Sequence, residues 1–362
     1  MSEQLHWAIV EVMLEIEAQI LGDMVDYLKM KDDMDSSEIV AWQINALAML
    51  GQLDRKHIQT ISQKSGVAME NLLELLKEHG YKVAADVDKV LMAGGVVATA
   101  PNVLQSTALM EILLSYQQQA VDKFNLTGTT ILKESQQVYM NIVNVTVGKV
   151  LAGVTTPQKA LAETVREWAN NGIPVLIDKA GKRWGAEGYF NMLVRTMTNN
   201  IANDMQDKRM DEFEVDLVEI SSHFDARPKC APYQGRIFSR VPGNPDYPYL
   251  GNTSYGEPDG LFGINCRHIK YPYIEGYSRK TYSPYSEASV DKAYKESQQQ
   301  RAIERSIRKA KTELELMRKL GDTEAIKVAH KKVSHQQQRI RDFIESSGRT
   351  RRRNREQIVK QA

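Results

Sequence analysis

Two histidines and both cysteines of the chain lie close together in the sequence. Cys230 and Cys266 occur within residues 221–268, together with His223 and His268. Thiolates and imidazoles are the ligands of structural zinc sites, which use four of them. Cys266 and His268 are two positions apart, so on an extended strand their side chains face the same way. The set could form a four-ligand metal site of the zinc type, and these four residues are the candidate ligands.

Two other interpretations of these residues stay open at this stage. No C-x-x-C pair is present, so the four side chains could instead pack and hydrogen bond in a loop-rich core without metal. A Cys230–Cys266 disulfide is the third interpretation. Two cysteines in 362 residues are typical of a protein from a reducing compartment, and this disfavours the disulfide.

A catalytic interpretation of the same segment is the main alternative function. Two histidines flanked by arginines could cleave nucleic acid by general acid–base catalysis, and His223, Arg227, Arg236 and His268 would form that set. The chain contains no phosphate-binding glycine loop, no H-E-x-x-H and no G-x-S-x-G, which are the motifs that place such chemistry. We therefore predict no catalytic residues.

The C-terminal part of the chain is basic. Residues 286–362 carry 20 Lys and Arg against 11 Asp and Glu, although the whole chain has a formal charge of only +1. A tail of this kind predicts an anionic partner. Five arginines near its end could neutralise nucleic-acid phosphates, with a frayed and solvated end as the alternative. These residues are Arg349, Arg351, Arg352, Arg353 and Arg355.

The composition limits the class of protein. Hydrophobic residues make up 42% of the 362, enough for a packed core, and the length suits two or three domains. No apolar run is long enough for a transmembrane helix. The first residues lack the basic and apolar pattern of a signal peptide. We therefore expect folding in the cytoplasm and no membrane partner.

Apolar spacing predicts a chain that is mostly helical. Short helices are expected at residues 55–65 and 68–79, the second ended by Gly80 as a C-cap. Helices at 103–124 and 132–151 are expected to be separated at Gly128. Another predicted helix begins at Pro157, with Thr156 as its cap, and further helices cover 186–210 and 289–344, the last with a break at Gly321-Asp322. Short strands are expected at 173–177 and 215–220.

These elements predict an α+β fold in four segments. The expected fold class has a mainly helical N-terminal domain, a small mixed α/β core and a long helical C-terminal arm. The segments are residues 1–92 (helical domain), 93–150 (linking long helices), 151–285 (α+β core with the His and Cys motif) and 286–362 (basic helical arm).

Three motifs follow one another in the central stretch: S-S-H-x-x-x-R-P-x-C, Q-G-R-I-F-S and Y-G-x-x-D-G-L-F-G-I-N-C-R-H. They resemble the phage minor capsid protein 2 family, which is similar in turn to Mu-type head-morphogenesis proteins. Residues 182–196 and E-I-V-A-W-Q-I-N-A-L-A-M-L-G extend the resemblance over most of the chain. Cys230 stands where the family is expected to have His, and both are zinc ligands. The motif positions taken as the core are Arg227, Gly235, Gly260, Asn265 and Arg267.

The resemblance implies a structural role rather than an enzyme. Proteins of this kind are expected in few copies near the portal vertex of the phage head, where they assist assembly, DNA packaging or DNA delivery. The implied partners are the portal protein and the major capsid or scaffold protein, with packaged DNA as a further partner of the basic arm. We predict no cofactor, with zinc at the four His and Cys residues as the open alternative. The implied location is the virion, and the host cytoplasm during assembly.

Overall fold

The computed structural model describes residues 2–358, with side chains from residue 5 onward. Residue 1 and residues 359–362, at the outer ends of the first and last predicted segments, lie outside the described residues. The described part contains eight α-helices and two small antiparallel sheets, which confirms the predicted mainly helical α+β class. The helices are α1 (Ser2–Leu28), α2 (Ile39–Ala48), α3 (Leu50–Ala93), α4 (Thr107–Leu151), α5 (Pro157–Asn171), α6 (Ala186–Glu212), α7 (Glu287–Leu320) and α8 (Thr323–Ser347).

Three predicted helix breaks at glycine are wrong. Helix α3 is continuous through Gly66 and Gly80, and α4 is continuous through Gly128. A Cβ atom on Gly80 would lie 2.7 Å from Sδ of Met205, and one on Gly128 would lie 3.3 Å from Cγ2 of Ile61. Both glycines therefore allow close side-chain packing inside a helix, an outcome that helix propensity alone does not distinguish from a break.

Helix α5 begins at the predicted residue, but the predicted capping hydrogen bond is absent. Pro157 is the first residue of the helix, and Gly172 follows its end with φ 73°, the conformation that glycine adopts without strain. The Thr156 side chain makes no capping hydrogen bond. By contrast, the break between α7 and α8 occurs at Gly321-Asp322 as predicted, and the Asp322 side chain accepts a hydrogen bond from the backbone of Ala325.

Five short strands form the two sheets. Strands β1 (Pro174–Ile177) and β2 (Arg183–Gly185) pair antiparallel. Strand β3 (Leu217–Ile220) lies between β4 (Ile237–Ser239) and β5 (Lys270–Pro272), antiparallel to both. Both strands predicted from β-branched and apolar runs, at 173–177 and 215–220, are therefore present. The described helices include none long and apolar enough to cross a membrane.

The chain divides into two compact units that interleave along the sequence. The first unit comprises residues 2–7, Met69–Lys123 and Phe190–Gln298. The second unit comprises Ala8–Ala68, Phe124–Tyr189 and residues 299–358. The four predicted segments follow the order of the chain rather than its compact units, and their boundaries stay a prediction.

Each unit has its own buried apolar residues. In the first unit, Val218 and Ile220 of β3 pack in one cluster with Phe238, Leu261 and both cysteines. In the second, Ile303 and Ile307 of α7 pack with Ile340 and Phe343 of α8. The predicted seam of α7, formed by Ile303, Ile307, Ala310, Leu314 and Met317, is buried throughout.

Candidate functional site

The central segment, residues 221–268, begins where β3 ends and lies within the first unit. Its start is held on two sides by backbone hydrogen bonds. The Ser221 N–H donates to the Ile269 oxygen, and the Gly235 N–H donates to the Ile220 oxygen, both at 2.9 Å. The Ser221 hydroxyl also accepts the Ile269 N–H at 2.9 Å. The three-stranded sheet therefore fixes the position of both ends of the segment.

The two histidines of the segment are brought together by tertiary structure. Their ring centroids are 4.9 Å apart, in an edge-to-face arrangement. His268 is buried, and Nε2 of His223 lies 3.0 Å from the Arg267 oxygen and 3.3 Å from Oγ of Ser221. Burial lowers the pKa of His223 below its ordinary value, and the neighbouring His268 lowers it further. His223 therefore serves as a hydrogen-bonding group inside the fold.

Gln234 connects the same two histidines. Its Oε1 accepts the backbone N–H of His223 at 2.7 Å and lies 3.3 Å from Nε2 of His268. The Gln234 side chain is completely buried. Sequence reasoning missed this residue, although it stands at the start of the Q-G-R-I-F-S motif.

Both cysteines are buried and free of disulfide. Sγ of Cys266 lies 3.4 Å from Nδ1 of His268 and accepts backbone N–H groups from Phe262 at 3.2 Å and His268 at 3.4 Å. A hydrogen bond from Cys230 is the main reason that the pKa of Cys266 lies below its usual range, with His268 contributing after it. Cys266 therefore ionises before Cys230, whose pKa is raised by the same contact and by burial.

The structure gathers three of the four predicted metal ligands. One donor atom from each of Cys230, Cys266 and His268 lies within 4.8 Å of the other two. His223 is not a member of this group within the described residues, because its Nε2 faces Arg267 and Ser221. Metal binding itself stays a prediction.

The two core-motif glycines stand where a side chain would not fit. Gly235 has φ 64°, and a Cβ there would lie 2.4 Å from the backbone carbon of Ser283. A Cβ on Gly260 would lie 2.0 Å from the Ser254 oxygen. The Gly260 oxygen accepts a hydrogen bond at 3.2 Å from Arg227, another motif residue. These positions let turns of the segment pack backbone against backbone.

Asn265 and Arg267 attach the last turn to its surroundings. Asn265 has φ 62°, its Oδ1 accepts from Arg195 at 2.7 Å, and its N–H donates to Oγ1 of Thr196 at 2.9 Å. Arg267 donates to Asp225 at 3.0 Å. Asn tolerates the left-handed conformation better than most residues, which explains its use here.

Asp225 and the Arg209–Asp88 pair were not expected from the sequence. Asp225 also accepts a hydrogen bond from Ser297 of α7 at 3.0 Å. Arg209 is buried and donates to both carboxylate oxygens of Asp88, at 2.8 and 2.7 Å. Its Nη2 also donates to the Pro101 oxygen at 3.1 Å. No local pattern marks such pairs, because their partners are distant in sequence.

The predicted nucleic-acid-binding arginines make internal contacts in the second unit. Arg352 donates to both oxygens of Glu304, at 2.9 and 2.8 Å, and Arg351 donates to both oxygens of Glu356, at 2.6 Å each. Arg349 donates to Gln300 at 2.9 Å. Arg353 is exposed, and Arg355 is half-buried. Binding of nucleic acid by this cluster stays a prediction.

The profile of the family described as phage minor capsid protein 2 matches residues 2–345. The chain belongs to the phage minor capsid protein 2 family. A relative named a structural protein, from Lactococcus phage LL-H, is 30% identical over 346 residues, covering 91% of this chain and 92% of the relative.

A second relative covers a shorter part of this family member. It is named a structural protein, comes from Lactococcus phage mv4, and is 34% identical over 117 residues, which are 32% of this chain and 95% of the relative. No solved structure matches the chain significantly. The resemblance derived from the central motifs is thus confirmed, and the chain is a member of a family of phage structural proteins.

Proposed function

We propose that this minor capsid protein acts without catalysis at or near the portal of the phage head, in head assembly or in DNA packaging and delivery. The observation that carries the proposal is the family match over residues 2–345. The central segment supports it, because its motif residues hold turns together: His268 and both cysteines are buried, and Arg227 and Arg267 contact partners inside the segment.

The proposed partners follow from the same role. The central segment, kept in one conformation by Gly235, Gly260 and Gln234, would present a fixed surface to the portal protein or to the major capsid or scaffold protein. The basic arm, residues 286–362, would contact these proteins or packaged DNA through its excess of positive charge. The protein would be a component of the virion, made and assembled in the host cytoplasm.

Co-expression with the portal protein of the same phage tests the proposal. We expect the two to co-purify and to be found together in purified virions. Gly235→Ala should abolish co-purification, because it disrupts the central segment. Gly243→Ala is the matched control, since Gly243 also has a positive φ of 90° but has open space around a Cβ. Absence of the wild-type protein from both virions and portal complexes would contradict the proposal.

Nucleic-acid cleavage is the second candidate function, favoured by the 4.9 Å separation of the His223 and His268 rings. Against it, His268 has an exposed fraction of only 2%, so a substrate would reach it only after the segment opened. Incubation of the purified protein with RNA and DNA, repeated with His223→Ala and His268→Ala, decides the question. We expect no cleavage that depends on either histidine.

A further inference from the structure

The cluster of Cys230, Cys266 and His268 has the chemistry of a metal site. Two sulfurs and one imidazole are ligands that zinc prefers. At zinc–ligand distances of about 2.0–2.3 Å and a tetrahedral angle, two ligand atoms lie about 3.6 Å apart. Nδ1 of His268 and Sγ of Cys266 are 3.4 Å apart, and all three donor atoms are within 4.8 Å of one another. Small side-chain rotations would bring all three to bonding distance.

Gln234 determines which nitrogen of His268 is available to bind an ion. The group that faces the His223 backbone N–H at 2.7 Å must be an acceptor, so it is the amide oxygen of Gln234. Nε2 of His268 lies 3.3 Å from that same oxygen, and therefore carries the hydrogen and donates it. In the neutral ring, Nδ1 then has a lone pair, and it faces Cys266. Histidines that bind metals typically donate their other N–H to such a partner.

The surroundings of Cys266 suit a thiolate. Its sulfur accepts backbone N–H groups from Phe262 and His268, and hydrogen bonds of this kind stabilise negative charge on an acceptor. Two thiolates would balance the charge of a divalent cation, so the buried cluster would be neutral overall. An unbalanced charge would be costly in this apolar core.

We propose that Cys230, Cys266 and His268 bind a zinc-class divalent cation through Sγ, Sγ and Nδ1, that Gln234 orients His268, and that His223 is not a ligand. His223 is excluded because it does not belong to the described group of donor atoms that lie within 4.8 Å of one another, and its Nε2 contacts the Arg267 oxygen and the Ser221 hydroxyl. The ion joins the turn that precedes residues 231–233 to the turn at residues 260–268. This inference is independent of any contact with the portal.

Elemental analysis of the full-length protein is the first test. Protein produced with added zinc and freed of loose metal should contain about one zinc per chain. Cobalt substitution should give a thiolate-to-cobalt charge-transfer band and the intense visible bands of a tetrahedral ion. Structural zinc sites bind the ion tightly, so a content below about 0.1 zinc per folded chain overturns the proposal.

Substitutions test the assignment of ligands. Cys230→Ser, Cys266→Ser and His268→Gln should each reduce bound zinc at least tenfold. His223→Gln should leave it near one per chain, as should His335→Gln, an exposed histidine that serves as a matched control. Folding of each variant is checked by circular dichroism. If a ligand variant does not fold, the cobalt spectrum of the wild-type protein tests the ligands instead. The intensity of its charge-transfer band should correspond to two thiolates, and absence of that band overturns the assignment.

Zinc competition with a chelator tests the role of Gln234. Gln234→Leu removes the acceptor for His268 and should weaken zinc binding about 10- to 100-fold at unchanged stoichiometry. Gln234→Glu keeps an oxygen in place and should restore most of the affinity. Equal affinity in the Gln234→Leu variant and the wild type contradicts the orienting role. A loss of zinc in His223→Gln equal to that in His268→Gln contradicts the exclusion of His223.

Discussion

In the first unit, specific polar contacts between distant residues hold the turns of the central segment beside an apolar cluster, whereas in the second unit the later part of α7 packs with α8 along a buried apolar seam. In the central segment, Gln234, Asp225 and Arg227 each connect residues far apart in sequence. In α7 and α8, Ile303, Ile307 and Ile340 are buried at helical spacing. Polar contacts require particular partners at particular angles, while apolar burial requires only a continuous stripe.

Tolerance to substitution should therefore differ between the central segment and the seam of α7 and α8. A polar network loses stability when one member is removed, because the partner is left buried and unsatisfied. An apolar seam loses only the buried area and the volume of the deleted atoms. Substitutions in both units test this difference.

Gly235→Ala is expected to have the largest effect. The new Cβ would lie 2.4 Å from the Ser283 carbon and 2.5 Å from the Pro284 nitrogen, at a φ of 64°. Steric overlap and backbone strain together should cost about 3–5 kcal/mol, measured by urea unfolding. Gly243→Ala, strained but free of overlap, should cost about 1–2 kcal/mol. Equal losses would show that close packing at Gly235 contributes nothing.

Ile307→Ala should reduce stability by about 3 kcal/mol, since Ile307 is fully buried in the seam and the deletion leaves a cavity. Val328→Ala, on the exposed side of α8, should change it by less than about 0.5 kcal/mol. Hydrogen exchange should show faster exchange in α7 and α8 for the first variant only. An equal increase in hydrogen exchange of the central segment would show that the two units do not unfold independently.

Arg352→Ala should reduce stability by about 2 kcal/mol, because it leaves the buried carboxylate of Glu304 without its main partner. Arg352 is partly exposed, so this loss is smaller than for a fully buried ion pair. Arg353→Ala, at an exposed neighbour, should change stability by less than about 0.5 kcal/mol. Together the two variants measure how much a buried ion pair contributes to the stability of the second unit.

The same two variants test nucleic-acid binding by the arm. If Arg353 contacts phosphate, its removal should reduce the slope of log affinity against log salt by about 1 without loss of stability. A slope unchanged in both variants would contradict DNA contact by this cluster.

A smaller, pH-dependent effect is expected from Glu17 in the second unit. Burial raises its pKa from the ordinary 4.5 to about 7, although its carboxylate accepts a hydrogen bond from the Ile173 N–H at 2.7 Å. Between these values the folded protein keeps a proton that the unfolded chain releases, so stability falls as pH rises from about 4.5 to about 7. We expect a loss of about 1–2 kcal/mol across that window, limited by the half-buried position of the side chain.

Glu17→Gln should remove this dependence, as followed by thermal unfolding at several pH values. Glutamine keeps an oxygen for the Ile173 N–H and has no proton to lose in this range. A pH dependence that is the same in the variant and the wild type would show that Glu17 does not contribute to it.

Local regularities of the sequence were sufficient for much of the fold. The seam of α7, the start of α5 at Pro157, and strand β3 were each predicted from residues adjacent in the chain, because helix and strand periods are local properties. The same reasoning failed at Gly80 and Gly128. Whether a glycine breaks a helix or allows close packing depends on the residues opposite, here Met205 and Ile201 at Gly80 and Ile61 at Gly128.

Residue types and their spacing identified the family, the helical character of the chain and the segment that contains both cysteines. They did not reveal which residues of that segment meet: Cys230 lies beside Cys266 and His268, Nε2 of His223 contacts a backbone oxygen and a hydroxyl, and Gln234 contacts both histidines. Residue type and spacing fix the available chemistry and the local backbone period. Contacts between distant residues depend on how turns such as those at Gly235 and Asn265 bring the chain back on itself.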